Sequence, residues 1–441
     1  MIEYKGLTYL KDRLAVKRSR VLLRYQYYDM KNIVKDLNIS TPPGLDRWFS
    51  CLGWCAKGVD SLADRLMFRG FENDNFDLQE IFDQNNPDIL SDSAILGALI
   101  SSCDFIYISP DADGFPRLQV IDGANATGII DPITNLLTEG YAVLERDVAD
   151  QPTQEAYFTR ECTDYIGRAT GFRRMSHKAG YPLLVPIIYR PDAKRPFGHS
   201  RISRSCMALV DAAIRTVKRS EISAEFYSFP QKYVTNLSDE AADLNVWKAA
   251  MSAMMSFTKD EDGDHPIPGQ FQQQSMTPHI EQLRMFAAAF AGETGLTLDD
   301  LGFATGNPAS AEAIKAAHDN LRLTARKAQR TFGSGFLNAG FLAACLRDDY
   351  QYRREQLYLT TPEWDPIFEP DAAMLSGIGD GAIKLNQAVP GYFGAGNLRK
   401  LTGIEANDVA GNAGTTESNI EELFGTLSEG QEANESVSGG K

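Results

Sequence analysis

The sequence predicts an α+β fold, mainly helical and divided into more than one domain, on three observations. The chain has 441 residues, well past the ~250–300 at which a single core tends to stop growing. Strand-like and helix-like patterns alternate over the first two hundred residues or so, and helical patterns dominate afterwards. Hydrophobic residues make up 43% and charged residues 23%, the balance of a chain able to bury a core.

Taken in order, Leu10 to Lys31 reads as a basic helix with Tyr25, Tyr27 and Tyr28 near its end, broken by Thr41-Pro42-Pro43-Gly44. Trp48, Leu52, Cys55, Val59, Leu62 and Leu66 recur at helical spacing. A helix over Ser91–Ile100 feeds a strand, Phe105–Ile108, and Pro110–Gly114 turns into a second, Leu118–Ile121. Tyr141–Glu145 and Arg173–Met175 continue the alternation, and Pro182–Tyr189 has the apolar run of a buried strand.

A long amphipathic helix follows Gly198-His199-Ser200, with Met207, Val210, Ile214 and Val217 in one stripe and Asp211, Arg215, Lys218 and Arg219 away from it. It ends near Phe226, and Pro230 bars its continuation. Then come a strand at Lys232–Thr235, a short helix over Trp247–Met255 and a polar turn, Lys259–Asp264. From Thr277 a second amphipathic helix carries Ile280, Leu283, Phe286, Ala287 and Phe290, closed by Gly292 and Gly295. The loop 296–306 leads to a helix start with Asn307 as N-cap and Pro308 first in the helix. That helix passes Arg322, Arg326 and Arg330, with a bend expected at Gly333-Ser334-Gly335 and a weak point at Gly340. From Gly411 the composition is that of a mobile tail.

The net charge is −15. Grip on nucleic acid comes from cations that neutralise phosphates, so a repressor or nuclease is disfavoured, whereas a conduit through which DNA slides is compatible. Charge is uneven: residues 1–31 hold eight Lys or Arg against three acids, and residues 405–441 hold eight acids against Lys441. Oppositely charged ends fit an assembly, and solvated surfaces account for them equally well. The N-terminus lacks the apolar stretch of a secretion signal, which makes the cytoplasm the expected starting compartment. Six scattered cysteines read as buried thiols; Cys51 and Cys55 could share a helix face but lack further ligands for zinc.

No phosphate loop of the Gly-x-x-x-x-Gly-Lys type, nucleophile elbow or His-Glu-x-x-His pair is present, so no catalytic residue, metal ligand or cofactor is implied. The acidic stretches Asp111–Gly114 and Asp260–Asp264 lack the sixth-position Gly of a calcium loop and read as hairpin turns. Arg322, Arg326 and Arg330 fall on one helix face; a solvated or ion-paired surface is the plainer reading, a contact to a neighbouring subunit or to DNA phosphate the functional one.

The segment Asn307–Ile314 (Asn-Pro-Ala-Ser-Ala-Glu-Ala-Ile) resembles a hallmark of the portal proteins of tailed double-stranded-DNA bacteriophages, of the siphophage type. Residues 221–234, Gly269-Gln270-Phe271 with Leu283-Arg284, and Asp60–Leu66 with Gly70-Phe71 resemble further blocks of that family in order, from about residue 45 to about 350. The resemblance implies a portal fold: wing at 1–205 and 307–395, stem helices at 206–228 and 277–294, a small α/β clip at 229–276, and a short crown with an acidic tail at 396–441. It implies a tunnel loop at 296–306, with Leu296, Thr297, Leu298, Asp299, Asp300 and Phe303 facing the channel and the two acids favouring sliding over sticking. The plainer reading makes the loop's apolar residues core and its acids a helix N-terminal pair. The implied role is a non-enzymatic homo-oligomeric ring at one capsid vertex, of about twelve copies. Its partners would be double-stranded DNA, terminase, head-tail adaptors, and major capsid and scaffolding proteins. It would assemble in the host cytoplasm, without a membrane. Another head-completion or connector component is the alternative, and a metal-dependent DNA-processing hydrolase a remoter one. Two striped helices that need neighbours to hide their apolar sides would account physically for the ring.

Overall fold

The computed structural model describes residues 4–34, 50–228, 232–235, 267–270, 275–303, 316–368, 370 and 372–404. Two units are distinguished, Met1–Ile367 and Phe368–Lys441. That division falls inside the stretch expected to be wing.

The first unit begins with α1 (Leu7–Tyr28), α2 (Trp54–Ala63), β1 (Phe68–Glu72), α3 (Leu78–Asp83) and α4 (Pro87–Ser101). α4 is apolar on nearly every side, and Leu90, Ala94, Ile95, Ala98, Leu99 and Ile100 are all buried, as expected of a helix sunk in a core. It feeds β2 (Cys103–Pro110), which pairs antiparallel on one side with β3 (Pro116–Ile121) and on the other with β9 (Leu184–Ile188). The β2–β3 hairpin is closed by Asp111, whose carboxylate accepts from the backbone N–H of Asp113 (3.0 Å) and Phe115 (2.9 Å). That carboxylate makes a turn, as its spacing predicts. The second acidic stretch lies outside the described residues.

A five-stranded antiparallel meander runs β4 (Ala126–Ile130), β5 (Leu137–Arg146), β6 (Pro152–Phe158), β7 (Cys162–Gly167), β8 (Gly171–Ser176) in that spatial order. α1 lies against its first strands: Leu10 and Leu14 form a small cluster with Tyr141 and Val143. The backbone N–H groups of Lys5 and Gly6 donate to Glu139, and Lys11 and Arg18 pair with Glu155 (2.7 Å) and Asp150 (2.6 Å). Part of the basic N-terminal charge is therefore answered within the chain.

The organising element is α7 (Asp319–Arg347), preceded in the chain by α5 (Arg204–Ser228), β10 (Lys232–Thr235), β11 (Ile267–Gln270) and α6 (Thr277–Thr294). The two short strands pair with each other. Phe332, Phe336, Phe341 and the run from Leu342 to Cys345 are buried in α7's second half. Phe336 meets Phe68, Phe82 and Trp364 of β12 (Thr361–Trp364), which closes on β1. The bend expected at Gly333–Gly335 is replaced by an unbroken helix. Its glycines serve contact instead: a Cβ at Gly335 would stand 2.8 Å from Ile187 Cδ1, and one at Gly333 2.6 Å from Pro362 Cγ.

Cys55, Cys103, Cys206 and Cys345 are buried free thiols, while Cys162 is half-buried and Cys51 exposed. Desolvation pushes the Cys103 thiol up to about 12 and Cys345 to about 11, the inert regime for a thiol. Cys51 precedes α2, so it shares no helix face with Cys55.

The second unit's described elements are α8 (Ala372–Ala388) and α9 (Ala395–Thr402), joined by a turn in which Asn386 bonds the backbone of Phe393. Ile383, Leu385, Val389, Tyr392 and Leu401 are exposed.

Candidate functional site

α5 and α6 pack side by side and antiparallel. Ser203 donates to Glu293 (3.0 Å), Thr216 to Gln282 (3.2 Å), and Ser223 lies 3.3 Å from His279 Nε2, so rising positions on one helix meet falling positions on the other. At the base of the pair stands Arg201, 9% exposed. Its Nε donates to Gly58 O (2.5 Å) in α2, and a terminal nitrogen to Thr294 O (2.7 Å) in the last turn of α6. A cation there satisfies a carbonyl the helix leaves over and complements the negative end of the dipole. Asp211 on α5 accepts from Tyr27 Oη (2.9 Å) and Asn32 Nδ2 (3.3 Å), tying in the end of α1. Burial and this bond both push the Tyr27 hydroxyl upward.

The apolar stripes are largely hidden within one chain. Val210, Ile214, Ala287 and Phe290 are buried, and Met207, Val217, Leu283 and Phe286 half-buried. This corrects the expectation that neighbours are needed to cover them: each stripe is covered by the other helix and by α2, whose Trp54 ring sits 5.8 Å from Phe290. Ile280, 61% exposed, is the stripe residue left outside, and Met285 is exposed as well. The face of α5 read as polar is packed as well, Lys218 being buried.

Gly295, at φ +71°, turns the chain out of α6, a conformation glycine adopts without a Cβ penalty. Leu296 is buried, and Leu298, Leu301 and Phe303 pack against the main core. The Phe303 ring lies 6.4 Å from Trp54. Asp300 folds back, its Oδ2 accepting from Thr297 N (2.8 Å) and Thr297 Oγ1 (2.9 Å), which fixes a single turn at Asp299–Leu301. Of the expected channel residues, Leu296, Leu298 and Phe303 thus face inward in the single chain, and Asp299 is exposed. Residues 304–306, and the segment Asn307–Ile314, lie outside the described residues.

Arg322, Arg326 and Arg330 do share one face of α7. Arg322 is held by Asp319 (Nε to Oδ1, 2.9 Å), whereas Arg326 and Arg330 are exposed with no ion pair among the described residues. Arg201 and the glycine contacts were missed from the sequence, since one arginine between a serine-rich turn and a helix carries no pattern. No helix of the described residues is long and apolar enough to cross a membrane. No group of three or more His, Cys, Asp or Glu that could hold a metal ion occurs among them.

No family model matches the chain. The portal proteins of Mycobacterium phages L5 and D29 are each 25% identical to it over 391 residues, covering 82% of this chain and 80% of theirs. The chain is thus similar to two phage portal proteins over about four-fifths of its length. Solved structures that resemble this chain include the virion of a native gene transfer agent particle (TM-score 0.45, 12% identity, 78% of this chain and 88% of that one). Another is the neck of that particle computed with C12 symmetry (TM-score 0.43, 13% identity, the same coverage). Both superpositions are too loose to transfer positions from one chain to the other.

Proposed function

We propose that this chain is the subunit of a portal, a head–tail connector that forms a ring-shaped channel at one capsid vertex for packaging and ejecting double-stranded DNA. The observation that carries this reading is the likeness to two phage portal proteins over four-fifths of both chains. Two features of the molecule accord with it. The antiparallel α5–α6 pair, anchored at its base by Arg201, has the form of a two-helix stem. The net charge of −15 suits a surface that duplex DNA passes without adhering.

Finer assignments extend the proposal. α5 and α6 are the stem, with 229–276 as the clip that meets terminase and the head-tail adaptors. The turn after α6 is the tunnel loop, and its apolar side chains brace it against the core so that Asp299 is what it offers to passing phosphate. Arg326 and Arg330 meet a neighbouring subunit or DNA. The ring has about twelve copies, as a closed set of heterologous contacts allows, and is a structural part of the virion assembled in the host cytoplasm.

The mass of the purified chain, alone and with added capsid proteins, tests this. A discrete assembly of many copies is the expected result. A monomer under every condition, capsid partners included, would overturn the proposal.

A further inference from the structure

The five-stranded meander ends on β8, and no strand pairs with its outer edge among the described residues. On the inner side β8 pairs with β7 in unbroken register, Thr163 opposite Met175 and Tyr165 opposite Arg173. Just beyond the strand, His177 N donates to Glu161 O (2.9 Å). Hydrogen-bonded pairs alternate along an antiparallel ladder, so residues of the same parity as His177 turn their backbone groups toward β7. The N–H and C=O of Phe172, Arg174 and Ser176 therefore face outward, the template for an added strand. Phe172 is 64% exposed, with the Arg174 guanidinium 5.8 Å from its ring centre.

Past the end of β8 opens a cavity of about 470 Å³, lined among others by Arg160, Glu161, His177, Lys178 and Asp349. His177 is 8% exposed, and neither of its ring nitrogens has a hydrogen-bond partner; nor does Arg160 Nε. Buried polar groups left unpaired are costly, which marks the cavity as a place for a polar occupant. Charge says which kind. Residues 160–178 hold five Lys or Arg against two acids, a local +3 in a chain of −15. Arg174 pairs with Asp164, Arg168 with Asp147 and Lys178 with Asp349. Arg160 and Arg173 carry no ion pair among the described residues, being stacked over Tyr181 and Tyr165 instead. Even with Asp147 and Asp349 added to the count, one positive charge remains. The arginines discourage a like-charged strand and select an acidic one.

We propose that β8 is a docking edge for an extended acidic segment of a partner protein, which adds as a further strand along Phe172–Ser176 and seats a carboxylate side chain in the cavity beside Arg160 and His177. This goes beyond the portal reading and stands whether or not the chain forms rings.

The test uses the full chain and a labelled peptide of alternating valine and glutamate, with its valine–lysine counterpart as control. The glutamate peptide is expected to bind saturably and to slow amide exchange at Phe172, Arg174 and Ser176 by about tenfold, while the lysine peptide does neither. Ser176→Pro removes an outward-facing N–H and leaves the ladder to β7 intact, so it abolishes binding. His177→Ala weakens binding several-fold. No saturable binding, protection elsewhere in the chain, or equal binding of the lysine peptide would overturn the proposal. Undiminished binding to a folded Ser176→Pro chain would do the same, and unchanged affinity in His177→Ala would remove the cavity from it. Should Ser176→Pro fail to fold, the exchange map of the unaltered chain decides alone.

Discussion

Replacing Arg201 by methionine tests how the stem is held. Methionine keeps most of the aliphatic volume, so the change isolates the guanidinium. Two hydrogen bonds go with it, to Gly58 O at 2.5 Å and Thr294 O at 2.7 Å. Gly58 lies within a helix, whereas Thr294 is in the last turn of α6, where a carbonyl lacks a helical partner. Leaving that oxygen unpaired in a dry site costs about 1–3 kcal/mol. Loss of the cation at the helix C-terminus adds ~0.3–1 kcal/mol. Releasing a buried charge from desolvation offsets part of the total. The expected net destabilisation is about 2–3 kcal/mol, read as a lower urea midpoint at constant slope, with faster amide exchange at the C-terminal end of α6. Arg201→Lys, which keeps the charge but loses the fork, should fall between the two. A change below about 0.5 kcal/mol with unaltered exchange would refute the anchoring role.

Four further outcomes are expected. Gly335→Val drives methyl groups into Ile187, whose Cδ1 stands 2.8 Å from a Cβ at that position, and should cost about 1–3 kcal/mol in denaturant unfolding; a neutral result would mean that α7 can shift. Burial raises Asp104 to about 7, against bonds from Ser101 and Gly123 that lower it. The folded chain then holds a proton that the unfolded chain releases near pH 4, so this group lowers stability as pH rises from about 4 to about 7. Asp104→Asn keeps the acceptor for Ser101 and Gly123 and should flatten that decline, and an unchanged pH slope would count against it. Asp299→Lys, at an exposed position, should leave stability within about 0.5 kcal/mol yet impair DNA packaging; unimpaired packaging would remove Asp299 from the channel. Arg326→Glu with Arg330→Glu should likewise spare folding but weaken ring assembly or DNA retention, most strongly at low salt, where screening is least. Ring yield and retention equal to the parent would leave that face a solvated one.

The parts legible in the sequence are those whose pattern is local. The stripe over Met207–Val217 and the series Ile280–Phe290 place α5 and α6 within a few residues, and Asp111–Gly114 is the hairpin turn its composition suggests. What escaped depends on tertiary contact. Amphipathicity says that Ala287 and Phe290 need cover, but it does not say whether the cover comes from another copy or from α5 and Trp54 of the same chain. Gly333 and Gly335 read as a flexible point because close approach to Pro362 and Ile187 is invisible without the fold. In the turn after α6, periodicity could not separate an exposed apolar loop from one folded inward, and Phe303 lies inward against Trp54. The family resemblance, spread over many short blocks, survives where any single block would have been weak.

End-on electron microscopy of the purified assembly, prepared with capsid proteins, bears most directly on the ring. It should show a closed rotational ring of this chain around a central opening that admits a DNA duplex. Compact single-copy particles in every preparation, or a closed disc with no opening, would contradict the conduit.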